Sequence, residues 1–174
     1  LPILYLPALP SMVDLFGTNT SMVQLSLTSC MIGLAAGQLL FGPMSDRYGR
    51  KPVLLWTLLL FILSTLLCLF SADIYLFVIF RLFQGIAAAG SIVIARSIST
   101  DLFSGHELAR ILAIVGSING IAPVLAPVLG GAMAEAGGWE SIFAVLLFIG
   151  MLLLFACLYY QESMPVERRV SSLR

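Results

Sequence analysis

Charged residues are scarce in this chain. Only 10% of its 174 residues are Asp, Glu, Lys or Arg, and nine acidic side chains balance nine basic ones. A soluble domain of ordinary composition carries about 25% charged residues, so the composition argues against a soluble protein. The zero net charge and the scattered bases also argue against nucleic-acid binding, which requires clustered Lys and Arg.

Residues that bind metals or perform acid–base and nucleophilic chemistry are also rare. The single histidine, His106, lies in a polar stretch, and the three cysteines (Cys30, Cys68 and Cys157) lie inside apolar runs. No pair of them has the spacing of a metal site or a disulfide framework. No nucleophile–base pair or phosphate-binding loop is visible. The sequence therefore predicts no enzyme, no metal site and no cofactor.

Apolar residues are abundant, at 60% of the chain. A helix needs about 20 consecutive apolar residues to cross the hydrocarbon core of a membrane. Five runs of that length are visible: 21–41, 52–71, 74–97, 108–134 and 139–160. Residues 1–16 have the character of a sixth run that is truncated at its start, so we expect a piece of a longer protein. Because lipid offers no hydrogen bonds to the backbone, the sequence predicts an all-α, polytopic membrane bundle.

The charges of the short connections separate by side. One side receives only acidic residues: Asp14, Asp73, Glu135 and Glu140. The opposite side receives the bases: Arg47, Arg50, Lys51, Arg110, Arg168, Arg169 and Arg174. The positive-inside rule places the basic side, with the 42–51 loop and the C-terminus, in the cytoplasm.

Two arginines interrupt the fourth apolar run. Arg96 lies near its cytoplasmic end, from which its side chain can extend to the membrane surface. Arg81 lies seven residues in from Ile74, about 10 Å deep at a rise of 1.5 Å per residue, and Gln84 follows within one turn. An arginine near the membrane centre costs about 2.5–3.5 kcal/mol on insertion scales. Two interpretations remain open: the side chain faces a cavity or a partner, or it extends to the outer surface.

Small residues and prolines mark two further helices. Gly33 and Gly37 form a GxxxG pair in the second helix, as do Gly116 and Gly120 in the fifth, and such pairs predict close helix packing. In the fifth helix the prolines are predicted to kink the backbone, and the glycines make the segment thin. A hinge is therefore predicted at four positions: Pro123, Pro127, Gly130 and Gly131.

Three motifs resemble those of a known family. GPMSDRYGRK, from Gly42 to Lys51, matches the signature of the major facilitator superfamily between its second and third helices. RLFQG (81–85) resembles the fourth-helix motif of that superfamily, and APVLGG (126–131) resembles the fifth-helix motif of its drug antiporters. YLPALP (5–10) and ARSISTDLF (95–103) are similar to the bicyclomycin and chloramphenicol resistance (Bcr/CflA) group.

The resemblance implies an architecture for the whole protein. Residues 1–162 would be the N-terminal six-helix half of a twelve-helix transporter, and residues 163–174 would begin the cytoplasmic linker to the missing C-terminal half. Relatives in the group often have an aspartate where this chain has Ile3. If that acid carries the proton in relatives, the carrier here is expected elsewhere.

The resemblance also implies roles for the signature loop. Asp46 would face the opposite half, and Arg50 would pair with Asp101, so that together they latch the cytoplasmic side closed. Gly42 and Gly49 are expected to permit the sharp turn between the two helices. The alternative is a topology anchor, which explains the bases Arg47, Arg50 and Lys51 but not the acid or the glycines.

The inverted repeats of such a half place its first and fourth helices at the substrate cavity. The cavity candidates are Tyr5, Arg81 and Gln84, with Met31, Gln38 and Asn119 as weaker ones. So few polar groups suit hydrophobic drugs better than sugars. The expected function is proton-coupled drug efflux by alternating access across the bacterial inner membrane, with a drug-like molecule, protons, lipid and the second half as partners. Two alternatives are a carrier of one specific metabolite and a non-transporting sensor or assembly protein.

Overall fold

The computed structural model describes residues 7–159, which form five helices and no strand. The helices are α1 (Leu9–Phe16), α2 (Thr20–Tyr48), α3 (Arg50–Leu69), α4 (Ile74–Leu102) and α5 (Gly105–Tyr159). The predictions for Tyr5, Ile3 and residues 163–174 lie outside the described residues. Connections of one to four residues join successive helices, so each helix turns back beside the one before it.

The helices α2 to α5 are long and apolar enough to cross a membrane. At 1.5 Å per residue, the 55 residues of α5 would extend about 80 Å, more than twice the hydrocarbon thickness of about 30 Å. Gly137 and Gly138 break this helix, and Gly138 adopts a φ of 72° that favours glycine. The break divides α5 into a first segment (105–136) and a second segment (139–159). The prediction of an all-α, multi-pass membrane bundle is confirmed.

Glycines bring the backbones of α2 and α4 into contact. A Cβ atom added at Gly33 would overlap the carbonyl oxygen of Leu82, and one added at Gly37 would lie 2.6 Å from that of Ile86. On the opposing helix, a Cβ at Gly85 would overlap the carbonyl oxygen of Cys30. The close packing predicted for the glycine pair of α2 is confirmed.

The second glycine pair behaves differently. A Cβ added at Gly116 or Gly120 would meet no atom within 4 Å among the described residues. The first segment of α5 is exposed along most of its length, including Gly116 and Gly120. The predicted close contact of this pair is absent from the part of the chain that the structure describes.

Aromatic side chains fill the core at the acidic end of the bundle. Phe16, Phe77, Trp139 and Phe143 come from α1, α4 and the second segment of α5, with neighbouring ring centroids 5.5–6.2 Å apart. Edge-on and tilted contacts at these distances are favourable. This cluster holds the second segment of α5 against α4.

Candidate functional site

The basic end of the bundle gathers three charged residues from three helices. Arg50 begins α3, and its Nε atom donates to Oδ2 of Asp101 on α4 over 2.9 Å. Its Nη1 atom donates to Oδ1 of Asp46 on α2 over 2.5 Å. The Arg50 side chain is 8% exposed, whereas the side chains of Asp46 and Asp101 are 47% and 23% exposed. We call these three residues the charge cluster.

Each member of the charge cluster lies at the helix end where the macrodipole disfavours its charge. Arg50 is the first residue of α3, at a partial positive charge, and Asp46 and Asp101 lie in the last turns of α2 and α4, at partial negative charges. Their mutual attraction offsets these unfavourable positions. If the three helix ends separated, each charge would keep its unfavourable interaction with its helix dipole and lose the attraction that offsets it.

Ser45 also binds Arg50 and has no counterpart among the residues predicted from the sequence. Its side chain is fully buried; Oγ accepts a hydrogen bond from Nη1 of Arg50 over 2.6 Å and donates to the carbonyl oxygen of Gly42 over 2.9 Å. A serine inside a helix usually forms a hydrogen bond with the backbone of its own helix. The sequence therefore provided no reason to expect a hydrogen bond between Ser45 and Arg50 on the next helix.

A single glycine makes the turn between α2 and α3. Gly49 has a φ of 98° and a ψ of 158°, a conformation essentially reserved for glycine. Gly42 lies inside α2, with no atom within 4 Å of an added Cβ. The prediction that both glycines form the turn is therefore wrong for Gly42, because the helix continues through it to Tyr48.

The two other basic residues of the 42–51 motif, Arg47 and Lys51, contact different groups. The guanidinium of exposed Arg47 lies 5.3 Å from the ring centroid of Tyr48. Nζ of Lys51 donates to the carbonyl oxygen of Leu158 over 3.0 Å. A cation at the last carbonyls of a helix is favourable, so Lys51 ties the start of α3 to the end of α5.

Arg81 and Gln84 lie together in the interior of the bundle. They are 1% and 2% exposed, and Nη1 of Arg81 donates to Oε1 of Gln84 over 2.6 Å. The guanidinium carbon of Arg81 lies 5.6 Å from the ring centroid of Phe143, within cation–π range. Nε2 of Gln84 donates to Oγ1 of Thr65 on α3 over 2.8 Å. Burial excludes the interpretation in which Arg81 extends to the outer surface.

The remaining cavity candidates do not join this buried pair. Asn119 lines a cavity of about 320 Å³ that is bounded by α3, α4 and both segments of α5, together with Arg96. A second cavity, of about 560 Å³, runs along α5 past Asn119 and Pro123. Met31 and Gln38 lie on an exposed face of α2. Arg96 was not predicted as a cavity residue, because its place near the helix end suggested an arginine extending to the membrane surface.

The predicted hinge of α5 is a continuous helix in this conformation. The chain passes through Pro123 and Pro127 with helical dihedral angles, and among the described residues of α5 these angles are lost at Gly137 and Gly138. Gly130 is buried, and a Cβ added at Gly131 would lie 3.8 Å from Pro7. Gly137 and Gly138, rather than the prolines, leave the helical region, so the break lies beyond the motif.

Comparisons with known proteins agree with this arrangement. The family model described as the Major Facilitator Superfamily matches residues 3–174. An uncharacterized MFS-type transporter, YdgK, of Bacillus subtilis (strain 168) is 41% identical over 97% of this chain and 43% of its own length. A chloramphenicol resistance protein of Pseudomonas aeruginosa is 36% identical over 82% of this chain and 34% of its own length.

A third relative and a solved structure extend the pattern. A bicyclomycin resistance protein homolog of Haemophilus influenzae is 31% identical over 86% of this chain and 37% of its own length, so the chain spans less than half of each of these relatives. The crystal structure of the human organic anion transporter MFSD10 (TETRAN) is 24% identical, with a TM-score of 0.72 over 98% of this chain and 46% of that chain. That likeness establishes the fold, and the matching family model and relatives establish the family. The chain belongs to the major facilitator superfamily.

Proposed function

We propose that the full-length protein exports drugs or other hydrophobic amphiphiles in exchange for protons, by alternating access. The names of two relatives, a chloramphenicol resistance protein and a bicyclomycin resistance protein homolog, support the substrate class. The observation that carries the mechanism is the charge cluster, in which one buried arginine joins the ends of three helices. The chain spans about 43% of its Bacillus subtilis relative, so the second half of the transporter is a proposed partner.

The charge cluster acts as the latch of the cytoplasmic side. While Arg50 binds both carboxylates, the ends of α2, α3 and α4 stay together and the cavity opens to the other side. Asp46 keeps about half of its side chain exposed, which leaves the carboxylate accessible to the second half. When the cytoplasmic ends separate, each charge is left at an unfavourable helix dipole, so the closed and open arrangements form two discrete states.

The orientation of the half follows from its charges. The acidic residues Asp14 and Asp73 lie at one end of the helices, and the charge cluster and Lys51 lie at the other. By the positive-inside rule, the basic end and the C-terminus face the cytoplasm of a bacterial inner membrane. The latch then controls access from the cytoplasm, which is the side from which a drug exporter loads.

The coupling and cavity residues are assigned by position. Arg81 and Gln84 form a hydrogen-bonded polar pair buried in the bundle, and we assign them to coupling. Met31 and Gln38, exposed on α2, stay weaker cavity candidates. Asn119 lines the cavities beside α5, and Tyr5 remains a cavity candidate.

The fifth helix supplies the moving part. The prolines at 123 and 127 remove two backbone donors, and the glycines at 130 and 131 leave little side-chain bulk. This segment therefore bends at a smaller cost than a regular helix of the same length.

Drug-driven proton movement tests the proposed function. Everted membrane vesicles containing the full-length protein are given an acidic interior, and chloramphenicol, bicyclomycin and a lipophilic cation are added in turn. We expect at least one compound to dissipate the pH gradient, with no response in vesicles that lack the protein. No response to any compound, with folded protein present, would favour a carrier of one specific metabolite or a non-transporting role.

A further inference from the structure

Thr65 occupies a defined place in the buried polar network of α3 and α4. Its side chain is fully buried, and its Oγ1 atom donates to the carbonyl oxygen of Phe61 over 2.6 Å. The same atom accepts the hydrogen bond from Nε2 of Gln84 over 2.8 Å. Thr65 is therefore the point where the network of α4 is attached to the backbone of α3.

The hydrogen bonds of this network run in one direction. A threonine hydroxyl has a single proton, and because Phe61 accepts that proton, Oγ1 of Thr65 faces Gln84 as an acceptor. This places the NH2 group of Gln84 toward Thr65 and its Oε1 atom toward Arg81. The opposite orientation would set the NH2 group against the guanidinium, with donors facing each other. Thr65 thus fixes the amide in the orientation that receives Arg81.

The guanidinium of Arg81 is held from a second side by an aromatic ring. Phe143, from the second segment of α5, lies 5.6 Å from the guanidinium carbon, and its ring packs in turn against Phe77 and Trp139. Because these rings belong to the packed core, they restrict movement of the arginine toward α5. The hydrogen bond to Gln84 restricts it on the side of α3.

We propose that Thr65 is a positioning residue for Arg81 and acts on it through Gln84. The proposal rests on the function proposed above in one respect: Arg81 is taken to couple drug and proton movement. Among the described residues, Thr65 lines neither of the two cavities beside α5 and makes no hydrogen bond to the charge cluster. Its loss should therefore lower the maximal rate of coupled flux and leave the KM for the drug unchanged.

Substitution by an isosteric residue tests this role in the full-length protein. Thr65→Val keeps the shape of the side chain, removes the acceptor and leaves a buried amide unsatisfied, and we expect about a ten-fold fall in the maximal rate of drug-driven proton flux. Thr65→Ser, which restores the hydroxyl, should recover most of the rate. Thr57→Val is the matched control, because Thr57 is also buried on α3 but its hydroxyl is described as bonded to the carbonyl of Leu54 in its own helix.

A double-mutant cycle on melting temperature separates positioning from packing. The effects of Thr65→Val and Arg81→Gln on the melting temperature should be non-additive, because both residues form hydrogen bonds with the side-chain amide of Gln84. In a Gln84→Leu background the two effects should become additive. Additive effects, or equal effects of Thr57→Val and Thr65→Val on the maximal rate, would overturn the proposal. If the unsubstituted protein shows no drug-driven flux, the proposed function fails, and the melting-temperature cycle still decides whether Thr65 positions Arg81.

Discussion

At the scale of single residues, Arg50 is the group on which the basic end depends. Three hydrogen-bond acceptors surround its guanidinium: two carboxylates from different helices and the hydroxyl of Ser45. A buried guanidinium is stabilised only while its hydrogen bonds are made, since an unpaired buried charge is very costly. The stability of the charge cluster should therefore fall stepwise as the acceptors around Arg50 are removed.

Removal of the Ser45 hydroxyl should weaken the latch slightly. We expect Ser45→Ala to lower the free energy of unfolding by about 1 kcal/mol, because Arg50 loses one neutral acceptor and keeps both carboxylates. Ser64→Ala is the control, since Ser64 is also buried and its hydroxyl is described as bonded to carbonyls of its own helix. Chemical unfolding of the full-length protein in detergent measures both. Equal losses for the two variants would show that the bond between Ser45 and Arg50 contributes nothing of its own.

The two glycines of the signature loop should respond to alanine in opposite directions. Gly49→Ala should cost about 1–3 kcal/mol, because its dihedral angles are strained for any residue with a Cβ atom. Gly42→Ala should be neutral or stabilising by up to about 1 kcal/mol, because Gly42 lies inside a helix with open space around it. Melting temperatures of the two purified variants check this pair, and a stable Gly49→Ala variant would contradict the assigned turn.

At the scale of helices, the contact between α2 and α4 decides how the half holds together. Lipid provides no hydrophobic drive for helix association, so close backbone approach supplies much of the attraction. Gly33, Gly37 and Gly85 make that approach possible. The pair also carries two members of the charge cluster, Asp46 and Asp101, at its basic end, so the packing of these helices sets the geometry of the charge cluster.

Alanine at the contact between these helices should be more damaging than alanine at the second glycine pair. We expect Gly33→Ala or Gly85→Ala to cost about 1–3 kcal/mol, because the added Cβ would overlap a backbone carbonyl of the facing helix. Gly116→Ala and Gly120→Ala should be tolerated within the described half, where nothing lies within 4 Å. Thermal unfolding of the full-length variants tests the difference. Strong destabilisation at Gly116 would instead locate a contact made by the second half.

At the scale of the whole molecule, the sequence predicted an all-α bundle of apolar spans, because membrane spans are set by long apolar runs. The runs 108–134 and 139–160, predicted as two helices, correspond to the two segments of α5. It also predicted that Arg50 would pair with Asp101, although through a family resemblance, since 51 residues separate them. The sequence did not predict Ser45 or Thr65, because hydrogen bonds between helices depend on the rotation of each helix about its axis. Gly33 and Gly116 begin glycine pairs of identical spacing, so the sequence did not distinguish them. Gly33 packs against the backbone of α4, whereas Gly116 has no neighbouring helix within contact distance among the described residues.

The break of α5 falls at Gly137 and Gly138, inside the gap between the predicted spans 108–134 and 139–160, and not at the prolines. Proline is the strongest local signal for a kink, yet the chain stays helical through Pro123 and Pro127 and departs at Gly137 and Gly138. A proline removes one donor and can be accommodated by small local adjustments. A glycine at a positive φ changes the direction of the chain outright. In α5 the chain therefore turns at glycines with non-helical dihedral angles and not at its prolines.

We propose that the charge cluster controls exchange between the two states of the transporter. The most direct measurement is the rate of drug-driven proton flux in everted vesicles containing full-length Asp46→Asn, Asp101→Asn or the control Asp73→Asn. Asp73 caps the N-terminus of α4 at the opposite end, and asparagine caps equally well. We predict about a ten-fold loss of flux for the two cluster variants, at unchanged levels of folded, inserted protein, and a rate close to that of the unsubstituted protein for Asp73→Asn. Equal rates for all four proteins would contradict the latch.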